Sequence, residues 1–306
     1  MLRSSIDLGT NTGLLLIAEW DPVQKSVTRV ISDRSTIVRL GQGVDQARML
    51  QEEPKARALR CLTQYADELK SHGLRPEDTI CVATSQARDA KNGLEFFGEV
   101  QKELGFRFQV ISGAEEAKFT FLGGLLPDMS PNRTAIVDIG GGSTEFMSTL
   151  GGKSLDIGSV RFTERFFKSG PNTPVTDDEF WDCQDAIDLQ FLPLHSWKKS
   201  LVPGTELVGV AGTVTTLAAW HLGLEQFDAE KINQCTLTRG DIHRMVEELK
   251  WRTVEERKAI TGIEEGRADV LLAGAMILWR GMELMDFQAC RVSTRGLRFG
   301  ILTIES

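Results

Sequence analysis

Ile136-Val137-Asp138-Ile139-Gly140-Gly141-Gly142-Ser143-Thr144-Glu145-Phe146 is the stretch from which the rest of the chain can be read. An apolar run reaches one aspartate, passes three consecutive glycines and two hydroxyl residues, and becomes apolar again. The pattern predicts a strand, a tight turn with exposed backbone, and a returning strand. Glycine has no Cβ, so successive amide N–H groups can approach anionic oxygens. Ser143 and Thr144 can add hydroxyl donors, and Asp138 can hold a cation. Taken alone, such a turn reads as an ordinary hairpin. A second copy argues otherwise: Ser5-Ile6-Asp7-Leu8-Gly9-Thr10-Asn11-Thr12-Gly13-Leu14-Leu15-Leu16-Ile17-Ala18 is again an apolar strand, an Asp-x-Gly, a polar turn and a returning apolar strand. Two such hairpins, at Asp7 and Asp138, predict an internal duplication in which each half supplies one phosphate loop to a cleft.

The 306 residues suffice for two ordinary domains, and 41% apolar with 25% charged residues is the composition of a globular protein. A net charge of −8 disfavours a broad nucleic-acid surface. It leaves an anionic substrate open, because backbone amides, a metal ion and a few arginines can make a cleft locally positive. Cys61, Cys81, Cys183, Cys235 and Cys290 are odd in number, widely spaced and without C-x-x-C, which predicts core thiols in a reducing compartment. The apolar run at residues 270–279 falls short of the ~18 residues of a membrane span, and the start has no secretory h-region. The expectation is a cytoplasmic protein with no membrane partner.

Along the chain, residues 25–34 alternate as a third strand and 37–40 read as another short one. Residues 41–53 read as a loop, and 54–71 as an amphipathic helix carrying Leu59, Leu62, Ala66 and Leu69 on one face. A strand at 79–84 leads into a helix at 85–92. This is where ligands bind in open α/β sheets, and it gives Arg88 reach to a phosphate. A helix at 95–104 and a strand at 108–111 precede Ser112-Gly113-Ala114-Glu115-Glu116-Ala117, a loop into a helix with two adjacent carboxylates. Neighbours on a helix lie ~100° apart, so one at most points into a cleft, where it could activate water. Residues 127–133, with two prolines, mark the boundary between halves.

Further on, Gly151-Gly152 reads as a turn and 155–160 as a strand; 171–176 is a loop before a capped helix at Thr176. The strand 206–210 enters Ala211-Gly212-Thr213, whose helix N-terminus reads either as an ordinary cap or as a third anion contact at Gly212. Helices are expected at 238–250, 254–260 and 270–285, then a strand at 290–293, a turn at Thr294-Arg295-Gly296 and a closing segment at 297–304. His72, His195, His221 and His243 have no metal-ligand spacing, and neither a G-x-S-x-G nor a Walker loop is present.

With these residues in order, the chain resembles the exopolyphosphatase and guanosine-pentaphosphate phosphatase (Ppx/GppA) family. That family is a branch of the actin, sugar-kinase and 70-kDa heat-shock (ASKHA) superfamily. The resemblance rests on Ile6-Asp7-Leu8-Gly9-Thr10-Asn11, on the segments 83–92 and 137–145, and on Ile111-Ser112-Gly113-Ala114-Glu115-Glu116-Ala117. It continues through Gly158-Ser159-Val160-Arg161-Phe162-Thr163-Glu164, Gly209-Val210-Ala211-Gly212-Thr213, Gly266-Arg267-Ala268-Asp269 and Gly296-Leu297-Arg298-Phe299-Gly300.

The resemblance implies an α/β fold of two actin-like (ribonuclease H-like) βββαβαβα domains facing across a cleft. They would span 1–121 with 293–306, and 122–292, the C-terminal strand and turn returning to the first. It implies that Glu116 is the catalytic base, that Gly9, Thr10, Asn11, Gly140, Gly141, Gly142 and Ser143 form the phosphate loops, and that Arg88 and Gly212 contact phosphate. It also implies that Asp138, Glu145 and Asp7 serve Mg²⁺ or another divalent cation. Thr12-Gly13, Lys118 and Thr294-Arg295 depart from the family pattern, the last placing any C-terminal contact to the cleft in question. Ending soon after the final motif, the chain is expected to lack the extra helical domains that hold long polyphosphate.

The activity implied is metal-assisted hydrolysis of the terminal phosphoanhydride of inorganic polyphosphate, with guanosine pentaphosphate as the alternative substrate. Polyphosphate leads because no base-binding pocket is evident in the sequence. A kinase of the same fold and a non-catalytic nucleotide-binding or filament-forming protein are the competing classes, and a homodimer is an admissible assembly.

Overall fold

A computed structural model describes residues 1–304. The chain divides into two compact units, one of Met1–Gly123 rejoined from Leu297 onward, the other of Gly124–Gly296. No helix of the described residues is long and apolar enough to cross a membrane.

The first unit opens with an antiparallel meander, β1 (Leu2–Leu8), β2 (Thr12–Asp21) and β3 (Ser26–Ile37). It continues as α1 (Val44–Ala47), α2 (Glu52–Ser71), β4 (Ile80–Ala83), α3 (Ser85–Asp89), α4 (Gly93–Leu104), β5 (Phe108–Val110) and α5 (Gly113–Gly124). The sheet order is β3-β2-β1-β4-β5, with β1, β4 and β5 parallel. Pairing of Leu8 with Ala83 brings the β1–β2 turn and the start of α3 together at the carboxyl ends of these central strands. Helix α2 has Glu52 and Glu53 in its first turn, Lys70 in its last, and a buried stripe of Ala58, Cys61, Leu62, Tyr65, Ala66 and Leu69. The Tyr65 hydroxyl donates to the Gly13 carbonyl at 2.7 Å, which ties α2 to the exit of the first turn.

The second unit repeats the plan. Its strands β6 (Thr134–Ile139), β7 (Thr144–Ser148) and β8 (Gly151–Leu155) form the meander, and α6 (Ser159–Phe166), α7 (Asp177–Phe191) and α8 (His195–Ser200) follow. Then come β9 (Glu206–Val210), α9 (Ala211–His221), α10 (Ala229–Asn233), β10 (Thr236–Thr238), α11 (Arg239–Lys250), α12 (Val254–Lys258), α13 (Leu271–Leu284) and β11 (Ala289–Val292). The order β10-β11-β9-β6-β7-β8 contains the same five-strand arrangement, with β10 added antiparallel at the edge. Helix α13 is buried along most of its length, and its apolar residues join the core under this sheet. Two ribonuclease H-like units in tandem constitute the two-domain actin-like fold.

Several local expectations change. The short strand at 37–40 does not form: β3 runs to Ile37, and the Val38 and Arg39 amides then leave the sheet to donate to the Asn11 carbonyl. The 41–53 loop contains α1 and the first residues of α2. Gly151-Gly152 opens β8 instead of forming a turn, because Gly152 pairs with Met147 so closely that a Cβ would lie 2.0 Å from the Phe146 carbonyl oxygen. The strand at 155–160 stops at Leu155, since the Ser159 and Val160 amides are drawn into the glycine turn. The prolines at 127–133 lie within the second unit, where Pro131–Arg133 form a single 3₁₀ turn.

What rejoins the first unit is helical, not a strand: α14 (Leu297–Gly300), then a 3₁₀ turn at Ile301–Thr303. It is pinned by Arg3 donating to the Leu302 and Ile304 carbonyls, Ser5 donating to the Arg298 carbonyl, and a two-pronged Arg298–Asp33 pair at 2.7 Å. Gly300 lies against α5 so tightly that a Cβ would stand 1.8 Å from the Phe119 carbonyl oxygen. Gly300→Ala should therefore cost about 1–3 kcal/mol through overpacking. Thermal unfolding measures this, and an unchanged midpoint would contradict the close approach.

Candidate functional site

In the first unit the turn between β1 and β2 is closed by the Gly9 amide donating to the Thr12 carbonyl at 2.9 Å. The Thr10 carbonyl accepts from the Gly41 amide at 2.8 Å, and the Asn11 carbonyl accepts from Val38 and Arg39 at 2.9 Å each. In a planar trans peptide the C=O and the next N–H point opposite ways. Tying these two carbonyls to the 38–41 segment therefore turns the Asn11 and Thr12 amides to the other side. The Asn11 side chain is 5% exposed, and neither its Oδ1 nor its Nδ2 has a hydrogen-bond partner among the described residues. Each buried polar group left so costs about 1–3 kcal/mol, which a polar ligand group or water at the turn would recover.

On the helix after β4, Arg88 of α3 donates through Nη1 to the Ile111 carbonyl at 2.7 Å and to Glu116 Oε2 at 2.9 Å. The two adjacent carboxylates of α5 separate cleanly. Glu115 is exposed and accepts from the Ser112 amide and hydroxyl at 2.8 and 2.7 Å; the amide bond holds its carboxyl below the usual range, as a helix-capping acid. Glu116 is 7% exposed and held on the Arg88 guanidinium. The first unit thus holds, at the carboxyl ends of its central strands and on the helices that follow, a buried carboxylate, an arginine and an amide-presenting turn.

The second unit repeats the turn. The Gly140 amide donates to the Ser143 carbonyl at 3.0 Å, the same three-residue offset as in the first turn. The N-terminal amides of α6 then take the outer carbonyls: Ser159 donates to Gly140 at 2.9 Å, and Val160 and Arg161 donate to Gly141 at 2.9 and 3.0 Å. Arg161 Nε takes the Gly142 carbonyl at 2.7 Å. By the same peptide geometry, the Gly141, Gly142 and Ser143 amides are turned away from α6. Gly158 permits this approach, since a Cβ there would lie 2.4 Å from the Gly141 carbonyl. The Thr144 hydroxyl, expected as a ligand donor, donates to the Ile157 carbonyl at 2.8 Å, so Thr144 supports the turn from within.

Asp138 stands opposite Glu145 in the β6–β7 register, and Glu145 opposite Ser154 in β7–β8. Directly opposed residues share a sheet face, so the two carboxylates adjoin one another beneath the turn. Glu145 is 2% exposed and accepts from the Ser154 hydroxyl at 2.7 Å. Among the described residues no cluster of three or more His, Cys, Asp or Glu forms a metal cage. Two carboxylates suit Mg²⁺, which keeps several waters and binds through one or two carboxylates with substrate phosphate. Asp7 occupies the matching strand position in the first unit.

Between the central parallel strands of the second sheet, Asp138 pairs with Val210, which sets the start of α9 beside the glycine turn. Ala211 has a φ of 66°, a left-handed backbone uncommon outside glycine. At Gly212 a Cβ would lie 2.0 Å from Arg267 Nη1, so the absent side chain makes room for a guanidinium. Arg267 also pairs with Glu264 at 2.8 Å. Gly212 thus presents Arg267, a residue quoted in a motif but given no role from spacing. Gly158 and Arg161 were likewise without assigned roles, and Gln86 carried none.

The chain matches the Ppx/GppA phosphatase family over residues 16–305. It is 34% identical over 298 residues to a bifunctional 3-dehydroquinate synthase/phosphatase of Fusobacterium nucleatum, covering 94% of this chain and 43% of that relative. The chain thus spans less than half of that protein. It is 34% identical over 291 residues to exopolyphosphatase 2 of Mycobacterium tuberculosis, covering 90% of this chain and 88% of the relative. Among solved structures, an exopolyphosphatase from Cytophaga hutchinsonii superposes with a TM-score of 0.87 at 29% identity, covering 99% of this chain and 96% of that one. The match over nearly the whole length, with one amide-presenting turn in each unit and Glu116 beside Arg88, shows that the chain belongs to the Ppx/GppA phosphatase family of hydrolases.

Proposed function

We propose that the protein is an exopolyphosphatase that releases orthophosphate from the end of inorganic polyphosphate. The observation that carries this reading is the repeated turn, closed by the same bond in each unit and presenting amide N–H groups with the carbonyls tied back. Outward amides are an anion site, and phosphoanhydride chains are dense in anionic oxygens. The relatives named exopolyphosphatase support the substrate class.

In this mechanism Glu116 orients a water and accepts its proton as the water oxygen bonds to the terminal phosphorus. The bridging P–O bond breaks, and the shortened chain leaves as the anion. Charge collects on peripheral oxygens in a loose transition state, so positioning and electrostatics supply most of the rate. Arg88 supplies charge at the reacting phosphate, and the turn amides bind the chain that carries it. Asp138 and Glu145 would hold Mg²⁺, which supplies charge neutralisation at the phosphate when bound, and Asp7 is the corresponding carboxylate of the first unit. All five cysteines are free and buried, and burial pushes Cys183 and Cys290 up to about 12. This supports a cytoplasmic setting and leaves thiol chemistry no part.

Orthophosphate release measured side by side from short polyphosphate, long polyphosphate, guanosine pentaphosphate and ATP should be greatest with polyphosphate; dominance of guanosine pentaphosphate would transfer the assignment to that nucleotide. Glu116→Gln should lower turnover by roughly 10²–10⁴ while polyphosphate still binds, and full activity would remove Glu116 from the mechanism. Chelation should stop release and Mg²⁺ restore it, with Asp138→Asn needing more Mg²⁺ for half-activation. Gly158→Ala should displace the glycine turn and lower kcat/KM by roughly 10²-fold.

A further inference from the structure

Beneath the first turn lies a chain of buried hydrogen bonds that neither the mechanism nor the sequence reading uses. Gln86, the second residue of α3, is 2% exposed. Its Nε2 donates to the Leu8 carbonyl at 2.6 Å, and its Oε1 accepts from the Thr10 and Thr84 hydroxyls at 3.2 Å each. Thr10 Oγ1 and Ser85 Oγ are 3.0 Å apart.

Proton counting fixes the direction of every bond. The Leu8 carbonyl can only accept, so it must face the NH₂ of Gln86, which puts the amide oxygen toward the hydroxyls. That oxygen can only accept, so Thr10 and Thr84 each spend their single proton on it. Thr10 then has only lone pairs left, and the 3.0 Å contact is Ser85 donating to Thr10. All three hydroxyl protons are consumed inside the protein. The Thr10 methyl group is fixed as well, since a Cβ at Gly41 would lie 2.2 Å from Thr10 Cγ2.

We propose that Gln86 is a positioning residue for the first phosphate turn. By bridging the end of β1 to the Thr10 hydroxyl, it holds Thr10 so that the amides after it stay aimed at a phosphate group. The same wiring means that this turn takes its anion through main-chain N–H groups, with Thr10 contributing backbone and no hydroxyl donor. The second unit makes the corresponding tie more simply: the Thr213 hydroxyl of α9 donates to the Ile139 carbonyl at 3.2 Å, just before its turn. In both units the helix after the parallel strand secures the carbonyl that precedes the glycine, and only the first extends the tie into the turn's own side chain.

This inference rests on the polyphosphatase reading, and its test separates the two. Turn amides contact phosphate in the bound substrate and the transition state alike, so loosening them acts on binding. Gln86→Met keeps the volume and removes the amide. With short polyphosphate and Mg²⁺ it should raise KM about tenfold with kcat within about threefold of the parent. Thr10→Val should raise KM comparably, because it removes the group through which Gln86 acts. The double variant should then be no worse than either single one, the coupling expected of residues in one network. KM and kcat both unchanged in Gln86→Met, or two KM effects that multiply independently, would overturn the inference. If Gln86→Met fails to fold, an unchanged KM in Thr10→Val overturns it alone. A parent protein that releases no orthophosphate from any polyphosphate overturns the functional reading instead.

Discussion

One hydrogen bond recurs at the centre of each unit: the amide of the first turn glycine donates to the carbonyl three residues on, Gly9 to Thr12 and Gly140 to Ser143. It decides what the turn can do. With that bond made, the remaining carbonyls are within reach of neighbouring donors, and the rest of each unit supplies them. The first unit uses the Gly41, Val38 and Arg39 amides, and the second uses the N-terminus of α6 with Arg161. Different segments thus solve one problem, satisfying carbonyls so that the opposed N–H groups face the other side of the turn. This explains why the two turns share geometry while their sequences share little beyond the aspartate and the glycine two residues after it.

Such an arrangement also reconciles an acidic protein with the anionic substrate proposed for it. The charge of −8 is spread over the whole chain, whereas the groups at the turns are amide dipoles and a few guanidiniums. Dipoles fixed by hydrogen bonds need no reorganisation as charge develops, and they carry no net charge to be screened at a distance. Arginines are held in place in the same manner: Arg88 by the Ile111 carbonyl and Glu116, Arg267 by Glu264 and the space over Gly212.

Much of this was legible because it follows from period and composition. The α2 stripe, the capped start of α7 at Thr176 and the triple-glycine turn depend on residues near one another in the chain. Gly151-Gly152 misled because a glycine that permits close strand pairing looks, in sequence, like a glycine that permits a turn. The strand expected at 155–160 failed for a long-range reason: its amides are claimed by carbonyls at Gly140 and Gly141, nearly twenty positions earlier. Gln86 was invisible for the same cause, since its partners at Leu8 and Thr10 meet it only after β1 and β4 pair.

The adjacent acids of α5 show how far local rules reach. Helical geometry states that Glu115 and Glu116 point ~100° apart, and so that their fates differ. It does not say which faces solvent. That choice is made by Ser112, whose amide and hydroxyl both reach Glu115 and make it a cap, and by Arg88, whose guanidinium is carried by another helix. Capping consumes one carboxylate in starting the helix, and burial of Ala117, Thr120 and Phe121 fixes the rotation of α5 about its axis. The other is thereby delivered to the arginine. Residues that look purely structural, on the buried face of α5, therefore determine where the proposed base stands.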